Sequence, residues 1–417
     1  MTVLEKASCH NSWQDFLNYK VDKQHLYPEE AEKIREFVER RAYLGLCEAW
    51  ERGAYPGQYP LKRKVNKQGT KKKRIVYTFP GDEGIFLKFI AFQLYAYDGH
   101  FCSNCYAFRR DFGVRDALRR IRRIPDLGEK YCLKADISDY FNSVSVEKLL
   151  QKLAFVRVDD PKLYALFERI LGQEQVLEDG RLVADRHGAM AGIPISPFFA
   201  NVYLGEADEL FEERKIPYFR YSDDILIFAD TQEELIQRRE MLYQILDRLE
   251  LQINPGKVHI CAPGEVWEFL GFCYRDGRID LSDATLNKMK AKIRRKADAL
   301  RRWQRKKGLS ADKAAIGLIH AMNRKFYGRA PKAGGAKEDK NIVEDSDFTW
   351  SRWFFPNLTT DRGLFEIDAY FVEYIRYAVT GRHYKGNYRI RYEQLKAWGY
   401  RSLVHEYYRY READHGS

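Results

Sequence analysis

Phe219-Arg220-Tyr221-Ser222-Asp223-Asp224-Ile225-Leu226-Ile227-Phe228 is the stretch on which the fold turns. Aromatic and β-branched residues on both sides of two adjacent carboxylates predict two buried strands, with the aspartates at the tight turn of the hairpin between them. Two like charges at a buried turn are unfavourable unless a cation neutralises them. A solvated loop is the competing reading, so a second carboxylate in a matching context decides between the two.

Leu133-Lys134-Ala135-Asp136-Ile137-Ser138-Asp139-Tyr140-Phe141 supplies that carboxylate. Tyr131 to Ala135 reads as a strand ending at Asp136, which could lie beside Asp223 in one sheet. Phosphoryl transfer by two Mg²⁺ ions ~4 Å apart needs carboxylates from separate strands to bridge them. Two unrelated strand-end aspartates are the plainer alternative.

Working outward, the N-terminal segment reads as helical. Pro28 followed by Glu29 and Glu30 makes a helix start, and Ile34, Phe37, Val38 and Leu44 recur at helical spacing up to Gly53. Lys62–Val65 and Ile75–Phe79 then flank the Gly69 turn of a basic β-hairpin. Helical stretches over 84–97 and 116–123 lead into the Asp136 strand.

From Leu286 onward Leu286, Met289, Ile293, Ala297 and Leu300 form an apolar stripe. Lys288, Lys290, Lys292, Arg294, Arg295, Arg301, Arg302 and Arg305 fill the other faces of that helix. Gly328 to Lys340 reads as a flexible connection, followed by the acidic stretch Glu344 to Asp347. Beyond Trp350 a helical module is expected, with Phe365, Ala369, Val372 and Ile375, and then Trp398, Leu403 and Tyr407, at helical spacing. No internal repeat is found. The expected class is α+β, with a helical segment over 1–55, a linker over 331–347 and a helical module over 348–417.

The 417 residues are 45% hydrophobic and 14% aromatic, enough for a core in two or three subdomains. Their 71 Lys plus Arg against 60 Asp plus Glu give a net charge of +11, compatible with a polyanionic partner or simply with a basic surface. No run approaches the roughly 18 apolar residues of a membrane helix, and Met1 to Asn18 lack the apolar character of a signal peptide, so a cytoplasmic protein is expected. Seven scattered cysteines do not make a disulfide framework. Cys102, Cys105 and His100 have ligand-like spacing, but a structural zinc site wants four ligands, and buried thiols are the favoured reading.

Four motifs in order carry a resemblance. They are Asp136 with Phe141 five positions on, the segment Gly192-Ile193-Pro194-Ile195-Ser196-Pro197-Phe198-Phe199-Ala200-Asn201, Tyr221-Ser222-Asp223-Asp224, and Glu268-Phe269-Leu270-Gly271-Phe272. Together they resemble bacterial reverse transcriptases related to those of group II introns and retrons. The resemblance implies a right-hand polymerase: fingers over 56–130, a palm over 131–280 and a basic helical thumb over 281–330, with helical additions at both ends.

Residue by residue, the resemblance gives Asp136, Asp223 and Asp224 the catalytic role. These three, with the backbone of Ile137, would bind two Mg²⁺ ions, with Mn²⁺ as a substitute. Lys67, Arg74, Phe141, Ala191, Gly192 and Lys257 would meet the incoming nucleotide. Phe141 would sit beneath its sugar and disfavour a 2′-hydroxyl, and Lys257 would face the pyrophosphate leaving group. Arg109, Ser196, Pro197, Asn201, Tyr221, Phe269, Leu270, Gly271, Lys292, Arg295 and Arg302 would contact primer and template. Bland readings stand beside these: a core aromatic at Phe141, a solvated basic loop at 67–74, and a soluble amphipathic helix after Leu286.

Ala191 stands where related enzymes carry Gln. That change, with a helical tail and no nuclease motif, resembles small stand-alone defence-associated reverse transcriptases, which copy a neighbouring noncoding RNA. The implied partners are a noncoding RNA template, the RNA/DNA hybrid and dNTPs, with no membrane and with a homo-oligomer allowed. A diversity-generating or intron-derived enzyme is the alternative within the family, and an RNA-binding scaffold the alternative outside it. Tyr407, Tyr408 and Tyr410 in the tail suggest either protein priming or plain packing.

Overall fold

The computed structural model describes residues 1–23, 26, 28–66, 73–328 and 349–415, so Lys67, the Gly69 turn and the expected 331–347 linker lie outside the described residues. The chain divides into two compact units, Met1–Val21 with Pro28–Glu265, and Asp22–Tyr27 with Val266–Ser417.

In the first unit the basic hairpin forms from β1 (Leu61–Asn66) and β2 (Lys73–Thr78), with Val65 opposite Arg74. β3 spans Tyr131–Asp136, and β4 (Gln175–Glu178) with β5 (Arg181–Ala184) makes a second hairpin that joins β1 in the order β2-β1-β4-β5. β6 (Tyr218–Tyr221) and β7 (Asp224–Ala229) make the hairpin around the aspartates. With β8 (His259–Cys261) they form the antiparallel sheet β6-β7-β3-β8. Cys132, Leu133 and Ala135 of β3 and Ile225 to Phe228 of β7 are all buried, which is why β7 reads as an apolar run, while the half-buried Lys134 interrupts β3. The Gln232–Arg248 helix packs on β3 and β7, and the Thr231 hydroxyl caps it by accepting the Glu234 amide.

The N-terminal region departs from the single helical run expected up to Gly53. It holds Pro28–Glu39 and Tyr43–Glu51, separated at Arg41, which sits at φ +51°. Two earlier helices, Val3–Ser8 and His10–Asn18, precede them. Trp13 explains this arrangement: its fully buried ring stacks on Phe89 at 4.1 Å, and its N–H donates to the Ala7 carbonyl at 2.7 Å. The ligand-like cysteines are thiols in this fold, both pushed up to about 12, chiefly by burial. His100 stacks on Phe155 at 4.5 Å.

In the second unit β9 (Trp267–Phe269), β10 (Phe272–Arg275) and β11 (Arg278–Leu281) form an antiparallel meander. The basic helix spans Asp283–Lys306 and buries Leu286, Met289, Ile293 and Ala297. It packs against the Ala311–Tyr327 and Arg362–Thr380 helices, so the stretches read as 281–330 and 348–417 share one body, together with a sheet read as the end of 131–280. An apolar stripe needs a partner, and the Arg362–Thr380 helix provides it.

That helix buries Leu364, Ile367, Phe371, Ile375 and Ala378; of the expected stripe only Ile375 is buried, while Ala369 and Phe365, the latter 68% exposed, face outward. Both sets satisfy helical spacing, so periodicity alone does not choose between them. Asp368, also buried, accepts the Leu403 amide at 2.9 Å and the Ser402 hydroxyl at 2.6 Å, anchoring the Leu403–His415 helix. Tyr407 is buried with its hydroxyl donating to the Leu358 carbonyl at 3.0 Å, and the Tyr408 hydroxyl donates to Asp361 at 3.1 Å. Among the described residues no helix is long and apolar enough to cross a membrane.

Candidate active site

Pairing of β3 with β7 places Asp136 opposite Asp224, and Asp223 lies in the turn one residue before. Directly opposed residues in an antiparallel pair have Cα atoms roughly 4.5–5.5 Å apart, so the carboxylates share one small region. The turn is tight because Ser222 takes the left-handed conformation at φ +62° and Tyr221 pairs with Asp224. Ile137 continues the contact by donating its amide to the Asp223 carbonyl at 3.3 Å.

The electrostatics follow from this crowding. Burial and then Asp136 hold the Asp223 carboxyl above its ordinary range, while Lys257 and Arg74 pull the other way. Asp224 is pushed up to about 6, by burial first and Asp223 second. Lys257 Nζ lies 2.5 Å from Asp136 Oδ2 and supplies positive charge at the centre of the group. Asn254, three residues earlier, donates its amide to the Asp136 carbonyl at 2.8 Å, which fixes the start of the lysine's turn.

Arg74, exposed on β2, is near enough to favour the ionised form of Asp223. A rim of rings borders the carboxylates. Phe141 is edge-on to Phe108 at 6.3 Å, and Phe108 is 6.5 Å from Tyr221. Ala191 accepts the Tyr77 amide at 2.7 Å, and Gly192 follows at φ +106°, where a Cβ would come within 2.9 Å of the Tyr77 carbonyl. Only glycine fits so close to β2 in that conformation.

Other expected residues hold the scaffold. Arg109 donates to the carbonyls of Asp98, Cys102 and Cys105 at 2.8–3.1 Å and stacks on Phe112. Ser196 is buried with its hydroxyl on the Met190 carbonyl, and Pro197 follows in the first turn of the Ser196–Tyr203 helix. Asn201, fully buried, donates to the Ala107 carbonyl at 2.8 Å.

Phe269, Leu270 and Gly271 lie in the second unit, at the turn between β9 and β10. Leu270 and Gly271 both have positive φ, and the Gly271 carbonyl accepts the Thr285 hydroxyl at 2.9 Å. On the basic helix Arg295 and Arg302 are exposed, while Lys292 is half-buried, its ammonium held below the usual range by burial and by Lys325.

Arg220 was not singled out from the sequence, yet it organises this neighbourhood. Fully buried, it donates Nε to Asp208 Oδ1 at 2.7 Å, Nη1 to Asn201 Oδ1 and to the Ser222 carbonyl at 3.3 Å, and Nη2 to Cys105 Sγ at 3.0 Å. A cation inside an otherwise apolar strand was the available signal, since such a charge must have a partner.

The chain is 25% identical to Protein YkfC of Escherichia coli (strain K12) over 214 residues, 42% of this chain and 56% of that one. It is 22% identical to the Retron Ec86 reverse transcriptase of Escherichia coli over 176 residues, 40% and 50% of the two chains. The match thus spans about half the length of each of these curated relatives. Among solved structures, apo telomerase from Candida tropicalis aligns with 82% of this chain and 63% of its own, at 11% identity and a TM-score of 0.45. The profile of the family described as reverse transcriptase (RNA-dependent DNA polymerase) matches residues 65–274, half of the sequence and all of the carboxylate site, and the chain belongs to that family.

Proposed function

We propose that this chain is an RNA-directed DNA polymerase that copies a cognate noncoding RNA into DNA. The observation that supports it most is the register of β3 against β7, which sets Asp136 across from Asp224 with Asp223 beside both. Fingers over 56–130, a palm over 131–280 and a thumb over 281–330 belong to this reading.

The donor set suits Mg²⁺ or Mn²⁺, since it consists of oxygen ligands only. Among the described residues no three ligating side chains already converge on one point. Mg²⁺ keeps several waters and substrate phosphates and takes few protein carboxylates. Asp136, Asp223, Asp224 and the carbonyl of Ile137 would hold two ions, which when bound stabilise charge on the phosphates and activate the attacking hydroxyl.

The remaining work falls to the chain's own residues. Arg74, with Lys67, offers the triphosphate of a dNTP fixed positive charge, in which the guanidinium can bind two oxygens at once. Phe141, braced by Phe108, presents a ring where a 2′-hydroxyl would crowd. Lys257, once released from Asp136, donates a proton towards the departing pyrophosphate. Arg295 and Arg302 follow the phosphates of the RNA/DNA hybrid.

By its resemblance to defence-associated enzymes we assign it to antiphage activity in the cytoplasm. Primer extension on an RNA template with Mg²⁺ tests the central reading. Asp223→Ala with Asp224→Ala should abolish dNTP incorporation while leaving the protein folded, and incorporation that survives the pair would refute it. Sequencing the RNA that co-purifies tests the template assignment.

A further inference from the structure

Segment 382–391 of the second unit reads Arg-His-Tyr-Lys-Gly-Asn-Tyr-Arg-Ile-Arg, with four full cations, two tyrosines and no carboxylate. Tyr384 is 55% exposed and Tyr388 71% exposed. Both line a cleft of about 680 Å³ whose other walls include Lys290, Tyr370 and Arg376. Of its two acids, Glu366 pairs with Lys290 and Glu373 lies 2.7 Å from His383; with His383 left out of the count, Lys290, Arg376 and Lys385 still outnumber the two carboxylates.

The segment is built to hold these rings in place. Asn387 is buried, donates to the Arg382 carbonyl at 2.7 Å, and accepts the Thr380 hydroxyl at 2.7 Å, which closes the loop on itself. Gly381 ends the preceding helix at φ +78°, where any side chain would run into the Arg301 guanidinium. The Tyr384 ring lies against Gly386 so closely that a Cβ there would overlap it. Arg376 sits 5.0 Å from the centre of the Tyr388 ring and is fixed by donating Nε to the Ile390 carbonyl at 3.1 Å. Each ring therefore rests on protein and keeps more than half of its surface in water.

We propose that this cleft is a second nucleic-acid site, separate from the carboxylates, that binds unpaired nucleotides of a single strand. Bases stack on Tyr384 and Tyr388, and the phosphates between them meet Lys385 in the cleft and the exposed Arg382, Arg389 and Arg391 of the same segment. Fixed, exposed aromatics interleaved with cations suit a polymer that alternates flat bases with negative charge. A duplex hides the faces of its bases, and a membrane surface would call for a larger apolar patch than two separated tyrosines. The proposal rests on the polymerase reading only for the expectation that nucleic acid is at hand.

The test uses the full-length protein and fluorescence anisotropy of labelled oligouridine and oligothymidine. A saturating unlabelled primer–template hybrid keeps the polymerase cleft occupied throughout. Tyr384→Ala with Tyr388→Ala should weaken single-strand binding at least about tenfold, since each stacked ring contributes substantially to such binding. Tyr384→Phe with Tyr388→Phe should bind like the wild type, and all three proteins should unfold at the same temperature and extend the hybrid equally well.

Stronger binding of oligouridine would assign the site to RNA, equal or stronger binding of oligothymidine to single-stranded DNA, and either supports the proposal. Binding unaffected by the alanine pair overturns it, as does equal loss in the phenylalanine pair. If primer extension fails in every protein while the tyrosine dependence of binding holds, the polymerase reading fails and this site stands.

Discussion

Arg220 and Asp208 form a two-point ion pair from which water is excluded on both sides, with Nε donating to Oδ1 at 2.7 Å and Nη2 donating to Oδ2. The same guanidinium reaches the Ser222 carbonyl at 3.3 Å. The turn that carries Asp223 is thereby tied to the Gly205–Glu213 helix, and through Asn201 to the Ser196–Tyr203 helix. Arg220 is fully buried and holds the turn that carries Asp223, so a positioning role is expected of it.

Removing one partner of this pair leaves the other charge buried and alone. Asp208→Ala should cost about 3–5 kcal/mol of stability, read from a urea unfolding midpoint. Arg220→Lys should not rescue the site, because an ammonium lacks the planar fork that serves acceptors on four residues, Asp208, Asn201, Ser222 and Cys105. Primer extension should slow in both, and a normal rate in either would remove Arg220 from the positioning role.

Protonation of Asp224 gives a test by pH. Its folded pKa is about 6, against roughly 4 for an unfolded aspartate, so the carboxylate is less favourable in the fold than outside it. The stability contributed by this group is full below about pH 4 and is lost as pH rises through 6. In chelator-treated buffer the melting temperature should fall over that window. Asp224→Asn should be the more stable protein at pH 7, on the order of 1–2 kcal/mol. An asparagine variant no more stable than the wild type would contradict this account of the site.

Sugar selection is expected at Phe141, whose half-buried ring is braced edge-on by Phe108. Phe141→Ala should raise incorporation of NTPs relative to dNTPs on the order of tenfold or more. Competition assays with both nucleotide types measure the ratio, and an unchanged ratio would make the ring a packing residue.

Gly192 offers a backbone test. Alanine there would be strained at φ +106° and would press on the Tyr77 carbonyl, so Gly192→Ala should destabilise the protein by about 1–3 kcal/mol. Thermal melts check this directly.

The centre of the fold was legible because buried strands leave a record of mostly apolar residues, broken in β3 only by Lys134 before the aspartate. Leu133 to Asp136 and Ile225 to Phe228 announce themselves, and their pairing follows once two carboxylates need each other. The basic helix was legible through its stripe. What escaped has a common cause, since it depends on partners far away in the chain. Asp208 and Cys105 gave no local sign that Arg220 would join them, and nothing near residue 365 says which of two interleaved stripes faces inward. The helices Val3–Ser8 and His10–Asn18 are short, and Trp13 gains its meaning only against Phe89.

The contact between Lys257 and Asp136 has a consequence for how the protein waits between reactions. When divalent ions are scarce, an ammonium on a side chain that can swing away keeps one oxygen from facing its neighbours unopposed. On the two-metal proposal, loading the site would then be an exchange of one cation for another, not the quenching of a bare anionic cluster. Chelation should therefore leave the protein intact and rechargeable, and without this lysine a stripped preparation should be the more fragile one.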